Sequence, residues 1–541
     1  QRYFPLTNIL VTSFHLHDGS GAFEVLDFMP MPGDIPTTEA HEIHRRVRGI
    51  RGRVEAECTF APRFDYGRGD TRVTHIDNGV LARGVHEALA LAAPETLHWH
   101  IDDDGLTARC TFGVRPAADT WLVLRWDADE VEDAHADDSQ HLLEHTASFW
   151  NGWAGNLSFQ GMYRAEVERS ALALKALFYE PTGAVVAAAT TSLPEEIGGV
   201  RNCDYRYCWL RDAAFTLSAF NIVGLYDEAQ RFVHYLEWVA AKSDGGLQIM
   251  YGIGGQQQLD EFELSHLCGY RDSQPVRIGN GAHSQLQLDI YGELLAAVYL
   301  WHKRNIVDEA FWDLLVRIVD WLCDQWRQPD SSIWEVRAAP RHYVYSKVMC
   351  WVAFDRAIRM AAELGAPPTL ARWCEERDAI HAEVLERGWS EEKQSFVQYY
   401  DGTALDAANL LIPVYGFLPG ADARMAGTIQ AIMRELSRDG MLYRYTSDDG
   451  LPGREGVFSI CTFWLADALI LSGDVEHGER VFRRMLRLAN PLGLYSEQID
   501  PRTGDFLGNF PQAFTHIALI NTANLLEEAY KSRRVNQVVK E

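Results

Sequence analysis

At 541 residues the chain is longer than one ordinary hydrophobic core, and its apolar content of 47% excludes a disordered protein. Fifty basic residues against 76 acidic ones give a net charge of −26, which argues against nucleic acid and membrane partners and favours a neutral small-molecule substrate. The sequence contains no run of about 18 apolar residues, no signal peptide and no CxxC pair among nine cysteines. We therefore expect a cytoplasmic protein without disulfides, and the oligomeric state stays open.

The first 130 residues show the alternation of apolar and polar side chains that is typical of β-strands. Residues 8–30 predict a hairpin whose turn is the Asp-Gly-Ser-Gly segment at 18–21. Further short strands follow, which predicts an antiparallel β-sandwich. An acidic stretch at 127–138 then interrupts this pattern and leads into a linker helix that ends near Trp153.

From about residue 160 onwards, apolar residues recur at helical spacing. This periodicity predicts twelve consecutive helices near 161–178, 209–224, 226–242, 283–304, 307–327, 345–364, 369–388, 404–416, 421–437, 455–472, 475–489 and 512–531. The connections alternate in length. Those that follow an even-numbered helix are short, whereas those that precede one are long and rich in aromatic and charged residues.

Six helical hairpins with short connections at one end and long connections at the other predict a closed double ring of helices, an (α/α)6 barrel. The long connections of such a ring emerge on one face, so their side chains converge at one mouth. An open solenoid is the alternative, but it predicts repeated sequence, which is absent. We expect an α+β multidomain protein with a β-sandwich at 1–135, a linker helix at 136–159 and the (α/α)6 barrel at 160–541.

The long connections carry acidic residues of the kind that cleave glycosidic bonds. That reaction needs one carboxylic acid to protonate the leaving oxygen and a second carboxylate to activate water or attack the anomeric carbon. The candidates are Asp204, Asp212, Glu335, Glu455, Glu497 and Asp500. For each of them a solvated loop acid is the alternative interpretation.

Glu335 and Glu497 have the most suggestive neighbours. Trp334 beside Glu335 would reduce solvation of the carboxyl and raise its pKa, whereas an ion pair with Arg337 would oppose that effect. Glu497 lies between a hydroxyl and an amide side chain, a polar setting that suits a carboxylate which stays ionised and holds a water.

The segment from Tyr205 to Asp212 reads YRYCWLRD. Adjacent Arg211 and Asp212 at a helix start could bind sugar hydroxyls as donor and acceptor, and Tyr205 and Trp209 could form a pocket wall. A helix cap with an ion pair is the alternative.

Distinctive segments are spread over essentially the whole chain: NILVTSF, RFDYGRG, YEPTGAVVAAATTSLPEEIGG, RNCDYRYCWLRDAAFTL, PVRIGNGA, SSIWEVR, EGVFSICTFWLADAL and LGLYSEQIDPRTGDFLGNFPQAFTHIALINTA. With these segments the sequence resembles glycoside hydrolase family 15, the glucoamylase and bacterial trehalase-like group.

This resemblance implies that Glu335 is the general acid, Glu497 the general base and the segment from Tyr205 to Asp212 the innermost glucose site. It also implies inversion, with a water between two carboxyls that lie roughly 6.5–9.5 Å apart. We expect further sugar contacts from neighbouring candidates: Trp334, Arg337 and Glu455.

Three features depart from the family pattern. Cys203 stands where close bacterial members carry Trp, which removes a large ring beside the pocket. Val336 stands where fungal glucoamylases carry a second Glu for the outer sugar. Members of the family also begin with more sandwich strands than precede the first helix here, so the amino-terminal domain is expected to be incomplete.

We therefore expect an exo-acting, inverting α-glucoside hydrolase that needs no metal or organic cofactor. Trehalose, maltooligosaccharides and isomaltose-type sugars compete as its substrate. A glycoside phosphorylase on the same barrel is one alternative, and it would lack the catalytic base. A non-catalytic α-glucan-binding protein is the other.

Overall fold

The computed structural model describes residues 1–31, 41–126, 136–243, 245–305 and 307–538. Contacts between Cα atoms divide the chain into two compact units, residues 1–156 and 157–541. The acidic stretch of the sequence lies mostly outside the described residues. Helix α1 (Ala136–Gly155) follows it and belongs to the first unit.

The first unit contains eleven described strands. Their bounds are β1 Arg2–Tyr3, β2 Leu10–His15, β3 Ala22–Phe28, β4 Glu42–Arg51, β5 Val54–Phe60, β6 Arg72–Ile76, β7 Gly79–Arg83, β8 Ala88–Ala92, β9 His100–Ile101, β10 Ala108–Val114 and β11 Asp119–Trp126. Eight of them form an antiparallel sheet in the order β1-β2-β3-β4-β11-β8-β7-β6, and the other three form the sheet β5-β10-β9. The predicted hairpin is confirmed, since β2 pairs with β3 in a register that sets His15 opposite Ala22.

The core of the first unit lies between its two sheets. Phe60 of β5 and Ala108 of β10 belong to one buried cluster with Val80 of β7 and Leu122 of β11. Helix α1 packs on the larger sheet, where Ser139 Oγ and His44 Nδ1 lie 2.9 Å apart in a hydrogen bond. The alternating pattern of the sequence therefore places one apolar face of each sheet against the other.

The second unit contains eleven described α-helices. Their bounds are α2 Arg164–Leu177, α3 Ala213–Val223, α4 Tyr226–Ala240, α5 Asp289–His302, α6 Glu309–Gln325, α7 Val344–Leu364, α8 Leu370–Arg387, α9 Ala423–Glu435, α10 Ser459–Leu471, α11 Val475–Leu486 and α12 Ala513–Val538. Each of these helices overlaps one of the predicted apolar stripes.

The helix predicted at 404–416 was wrong in type and length. The structure has only a 3-10 segment at Ala407–Leu411, capped by a 2.8 Å hydrogen bond from Ala408 N to Asp406 Oδ1. Pro413 lies two residues after this segment and has no amide hydrogen to donate to a carbonyl one turn earlier. The local chemistry therefore ends this helix after little more than one turn.

Six segments of the second unit contact one another in a closed cycle. The contacts run from α3 to α5, from α5 to α7, from α7 through the segment Ala407–Leu411 to α10, from α10 to α12, and from α12 back to α3. The remaining helices α4, α6, α8, α9, α11 and α2 each pack on one member of this cycle or on two neighbouring members. Helices α3, α5 and α10 are buried nearly all round, because apolar residues occupy most of their faces.

Short two-residue strands and 3-10 segments shape the connections. The paired strands are Phe178–Tyr179 with Ala184–Val185, Cys208–Trp209 with Met250–Tyr251, Phe262–Glu263 with Arg277–Ile278, Trp389–Ser390 with Ser395–Phe396, Ser437–Arg438 with Met441–Leu442, and the trio Val457–Phe458, Gln498–Ile499 and Phe506–Leu507. The other 3-10 segments are Phe64–Gly67, Leu210–Asp212, Tyr270–Asp272 and Gly281–Ser284. Among the described helices, none is long and apolar enough to span a bilayer.

Candidate active site

A cavity of about 690 Å³, mouth included, lies where the long connections of the second unit meet. Its walls come from the connections before α3, α7, α10 and α12. Eight of the eleven sequence candidates line it: Tyr205, Trp209, Arg211, Asp212, Trp334, Glu335, Arg337 and Glu497.

Glu335 lies in a tight turn between α6 and α7. Its φ of +57° is in the left-handed region, which is uncommon for a residue with a side chain and occurs often at functional sites. The carboxyl oxygen Oε1 accepts a 2.7 Å hydrogen bond from Trp209 Nε1 and a 3.2 Å bond from Arg211 Nη1. Both donors contact the same oxygen, so Oε2 is left to face a ligand.

The neighbours of Glu335 in sequence have other roles. Arg337 does not pair with Glu335, because its Nη2 lies 3.3 Å from Oε2 of Glu261. The Trp334 indole donates a 2.8 Å hydrogen bond to Oδ1 of Asp406. The cation beside Glu335 is therefore Arg211, which is distant in sequence, and not the nearby Arg337.

Glu497 is buried, with 2% of its surface exposed. Oε1 accepts a 2.8 Å hydrogen bond from the Tyr205 hydroxyl, whereas Oε2 has no hydrogen-bond partner among the described residues. Burial raises the pKa of Glu497 to about 7, although Arg444 and the Tyr205 hydroxyl oppose this shift. The side chain thus has the properties of a base that works near neutral pH.

The segment before α3 supplies an aromatic wall and a charged pair. The rings of Tyr205 and Trp209 meet edge to face with their centroids 5.4 Å apart. Arg211 Nε lies 3.3 Å from Oδ1 of Asp212. Burial raises the pKa of Asp212 to about 6, against the opposing charge of Arg211. The segment therefore offers both donors and acceptors to a sugar in the cavity.

Glu455 is one of three sequence candidates, with Asp204 and Asp500, that do not line this cavity in the described part of the chain. Its Oε2 accepts a 2.8 Å hydrogen bond from Arg444 Nε, and its Oε1 accepts bonds from Arg444 Nη2 and, at 2.7 Å, from Arg201 Nη1. It lies behind the wall and holds the two arginines that do line it.

Arg201 also binds a second carboxylate. Its Nη1 and Nη2 donate to the two oxygens of Asp449 at 2.6 and 2.8 Å. Burial disfavours ionisation of Asp449, but these bonds outweigh it and lower the pKa of Asp449 to about 2. Arg444 lies over the rings of Trp334 and Phe458, 5.6 and 5.3 Å from their centroids. The network fixes one wall of the cavity.

Several lining residues were missed by the sequence reasoning: Glu195, Arg201, Arg444, Leu451, Phe458, Gln512 and Phe514. Cys203, noted only as a departure from the family pattern, also lines the cavity. Most of the missed residues lie in the same long connections, so a ranking of all polar residues there would have found the two arginines. Asp500 was a candidate acid, but it pairs with Arg502 at 3.0 Å and does not reach the described lining.

The arrangement brings two glutamates with different environments to one cavity. Glu335 is hydrogen-bonded through one oxygen, and Glu497 keeps one oxygen free of protein donors in the described residues. Such a pair can transfer one proton to a bound molecule and remove another from water. Among the described residues, no group of three or more His, Cys, Asp or Glu side chains is arranged to hold a metal ion.

Comparison with known proteins gives consistent matches. Residues 161–524 match the family described as "Glycosyl hydrolases family 15", and residues 1–150 match the one described as "Trehalase-like, N-terminal". A trehalase of Mycobacterium tuberculosis is 42% identical over 552 residues, covering 96% of this chain and 80% of that protein. A trehalase of Thermoplasma volcanium is 39% identical over 538 residues, covering 98% and 85%.

One solved structure has a similar fold over nearly the whole chain. It is a bacterial glucoamylase in complex with acarbose, with a TM-score of 0.77 at 14% identity, covering 97% of this chain and 85% of that one.

Proposed function

The chain belongs to glycosyl hydrolase family 15 and is a glycoside hydrolase, and from this premise we propose that it is an exo-acting, inverting enzyme whose substrate is trehalose. The single observation that carries the mechanism is the meeting of Glu335 and Glu497 in one cavity. The identity of about 40% to trehalases over almost the full chain supports trehalose above maltooligosaccharides and isomaltose-type sugars.

In the proposed reaction Glu335 protonates the glycosidic oxygen as the bond to the anomeric carbon breaks. Its Oε1 is held by Trp209 and Arg211, so the proton lies on Oε2 and is directed to one position. Glu497 removes a proton from a water that attacks the anomeric carbon from the opposite face. The free oxygen of Glu497 supports this role, because no described protein donor competes for its lone pairs.

The terminal glucose is proposed to bind between Arg211, Asp212 and the rings of Tyr205 and Trp209. Arg211 and Asp212 would bind its hydroxyls, and the aromatic edges would contact its apolar face. Arg337 and Trp334 are proposed to contact the sugar from the opposite connection. Glu455 is proposed to act through Arg201 and Arg444.

We also propose that the second unit is an (α/α)6 barrel. The closed cycle of contacts from α3 to α12 and back, with the six remaining helices packed around it, supports this architecture. In that fold the connections before the inner members open on one face, which accounts for a cavity built from four of them.

The test is a substrate panel of trehalose, maltose, isomaltose, kojibiose and soluble starch, followed by NMR of the first glucose released. Inversion at one anomeric centre of trehalose gives one β-glucose and leaves the other glucose as the α-anomer. We therefore expect equal amounts of both anomers before mutarotation, and α-glucose alone would exclude inversion.

Two substitutions complete this test. Glu335→Gln and Glu497→Gln are each expected to reduce kcat by ~10²-fold or more, as for the loss of other acid or base catalysts. Activity that appears only with added phosphate and yields a sugar phosphate would instead identify a phosphorylase. No activity on any α-glucoside in the wild type would contradict the proposal as a whole.

A further inference from the structure

Glu195 is a glutamate of the cavity wall that the proposed mechanism does not use. It lies in the segment before α3, and only 6% of its side chain is exposed. Its Oε2 is buried without a hydrogen-bond partner among the described residues, and lies 3.6 Å from Arg444 Nη2. A buried carboxyl oxygen without a partner costs free energy, so its presence in a cavity wall points to a ligand.

The two arginines near Glu195 donate hydrogen bonds to other carboxylates. Arg444 donates two hydrogen bonds to Glu455 through Nε and Nη2. Arg201 donates to both oxygens of Asp449. Glu195 therefore has Arg444 at ion-pair distance, but both arginines donate their hydrogen bonds to other carboxylates.

Glu195 also lies in a strongly acidic neighbourhood. Burial raises the pKa of its carboxyl well above the ordinary range, Arg444 opposes the shift, and Glu455 and Glu497 reinforce it. Two cations and several carboxylates share this buried region, so an added negative charge would be repelled without compensation. A proton on Glu195 would leave Glu497 free to ionise for its proposed role as base.

We propose that Glu195 is a substrate-binding residue, and that as an uncharged carboxylic acid it exchanges a hydrogen bond with a hydroxyl of the bound α-glucoside. A protonated carboxyl has one donor and spare acceptor capacity, which matches the two-way hydrogen bonding of a sugar hydroxyl. It also adds no charge beside Glu497. This inference rests on the proposed function, because it takes an α-glucoside as the occupant of the cavity.

Steady-state kinetics with trehalose test the inference. Glu195→Ala is expected to raise KM about tenfold, as one lost hydrogen bond to substrate would, and to change kcat much less. Glu195→Gln keeps a neutral donor and acceptor of similar size, so it is expected to recover most of the wild-type KM. Glu196→Gln is the matched control, because Glu196 is the adjacent glutamate and its Oε2 instead accepts a 2.8 Å bond from Arg454 N.

The pH dependence of kcat/KM distinguishes an uncharged Glu195 from an ionised one. If Glu195 is uncharged, Glu195→Gln leaves the acidic limb of kcat/KM where it is in the wild type. If Glu195 were ionised, its replacement would remove a negative charge near Glu497 and move that limb to lower pH, which would overturn the inference. Equal damage from Glu195→Gln and Glu195→Ala would overturn it as well.

The partner hydroxyl can be found with monodeoxy analogues of trehalose. The hydroxyl bound by Glu195 is the one whose removal raises KM for the wild type but not for Glu195→Ala. Should the alanine variant fail to fold, Glu195→Met fills a similar volume without donor or charge and gives the same comparison. A wild-type KM in the folded alanine or methionine variant overturns this inference alone, whereas a wild type inactive on all α-glucosides overturns the proposed function.

Discussion

The hydroxyl of Tyr205 donates a 2.8 Å hydrogen bond to Oε1 of Glu497, which joins the connection before α3 to the connection before α12. The bond orients the carboxyl and favours its ionised form. It thereby offsets part of the burial that raises the pKa of Glu497. It also occupies Oε1, whereas Oε2 has no hydrogen-bond partner in the described residues.

Tyr205→Phe is expected to lower kcat for trehalose about tenfold at neutral pH. The variant loses one hydrogen bond to the ionised carboxylate, so the pKa of Glu497 rises further and a smaller fraction of the base is ionised. The acidic limb of the pH profile should move to higher pH. Tyr207→Phe is the matched control, because its hydroxyl lies 3.4 Å from Asp204 Oδ2 and its ring is not part of the described lining.

The raised pKa of Glu497 predicts the pH dependence of the wild type. A general base acts in its ionised form, so activity is present above the pKa and is lost as pH falls through it. With a pKa of about 7, kcat/KM is expected to decrease roughly tenfold per pH unit below neutrality. Initial rates on trehalose between pH 4 and pH 8 measure this limb. A rate that stays constant down to pH 5 would contradict the assignment of Glu497 as the base.

The helices and the two central glutamates could be predicted from the sequence because their signals are local. The spacing of apolar residues predicts eleven of the helices. Glu335 and Glu497 are predicted from short segments that resemble those of a known family. The predicted helix at 404–416 failed for a local reason as well, since Pro413 has no amide hydrogen to continue the helical hydrogen bonds. A proline at this position argues against a helix of the predicted length.

The charge pairing could not be predicted, because it depends on which distant connections meet. Arg337 is two positions from Glu335, yet the arginine that contacts the carboxyl is Arg211, 124 positions away. Arg201 and Asp449 are 248 positions apart in sequence. Glu195 Oε2 lacks a partner because the nearby arginines form such long-range pairs, and no sequence pattern indicates this.

Glu455→Gln is expected to destabilise the folded protein by about 3 kcal/mol, because it removes a negative charge that two buried arginines share. Urea unfolding followed by tryptophan fluorescence measures the change. Asp324→Asn is the control, because Asp324 is 63% exposed and pairs with Arg372 on the surface, where an ion pair contributes less than ~1 kcal/mol. Equal destabilisation by the two substitutions would show that Glu455 does not anchor the wall.

The free oxygen of Glu497 depends on a glycine at position 508. Gly508 has a φ of +71°, and a Cβ there would lie 2.3 Å from Oε2 of Glu497. Gly504 in the same connection has a φ of +78°, but a Cβ at that position meets nothing within 4 Å. The two glycines therefore share a left-handed backbone, but only a Cβ at position 508 would contact Glu497.

Gly508→Ala is accordingly expected to reduce kcat by ~10²-fold, because the added methyl group displaces the Glu497 carboxyl from the attacking water. Gly504→Ala is expected to keep kcat near the wild-type value. Both variants should lose about 1 kcal/mol of stability from the left-handed backbone, so thermal unfolding tests whether they are matched. If the two variants lose activity to the same extent, backbone strain and not the position of Glu497 is responsible, and the water would have to be held elsewhere.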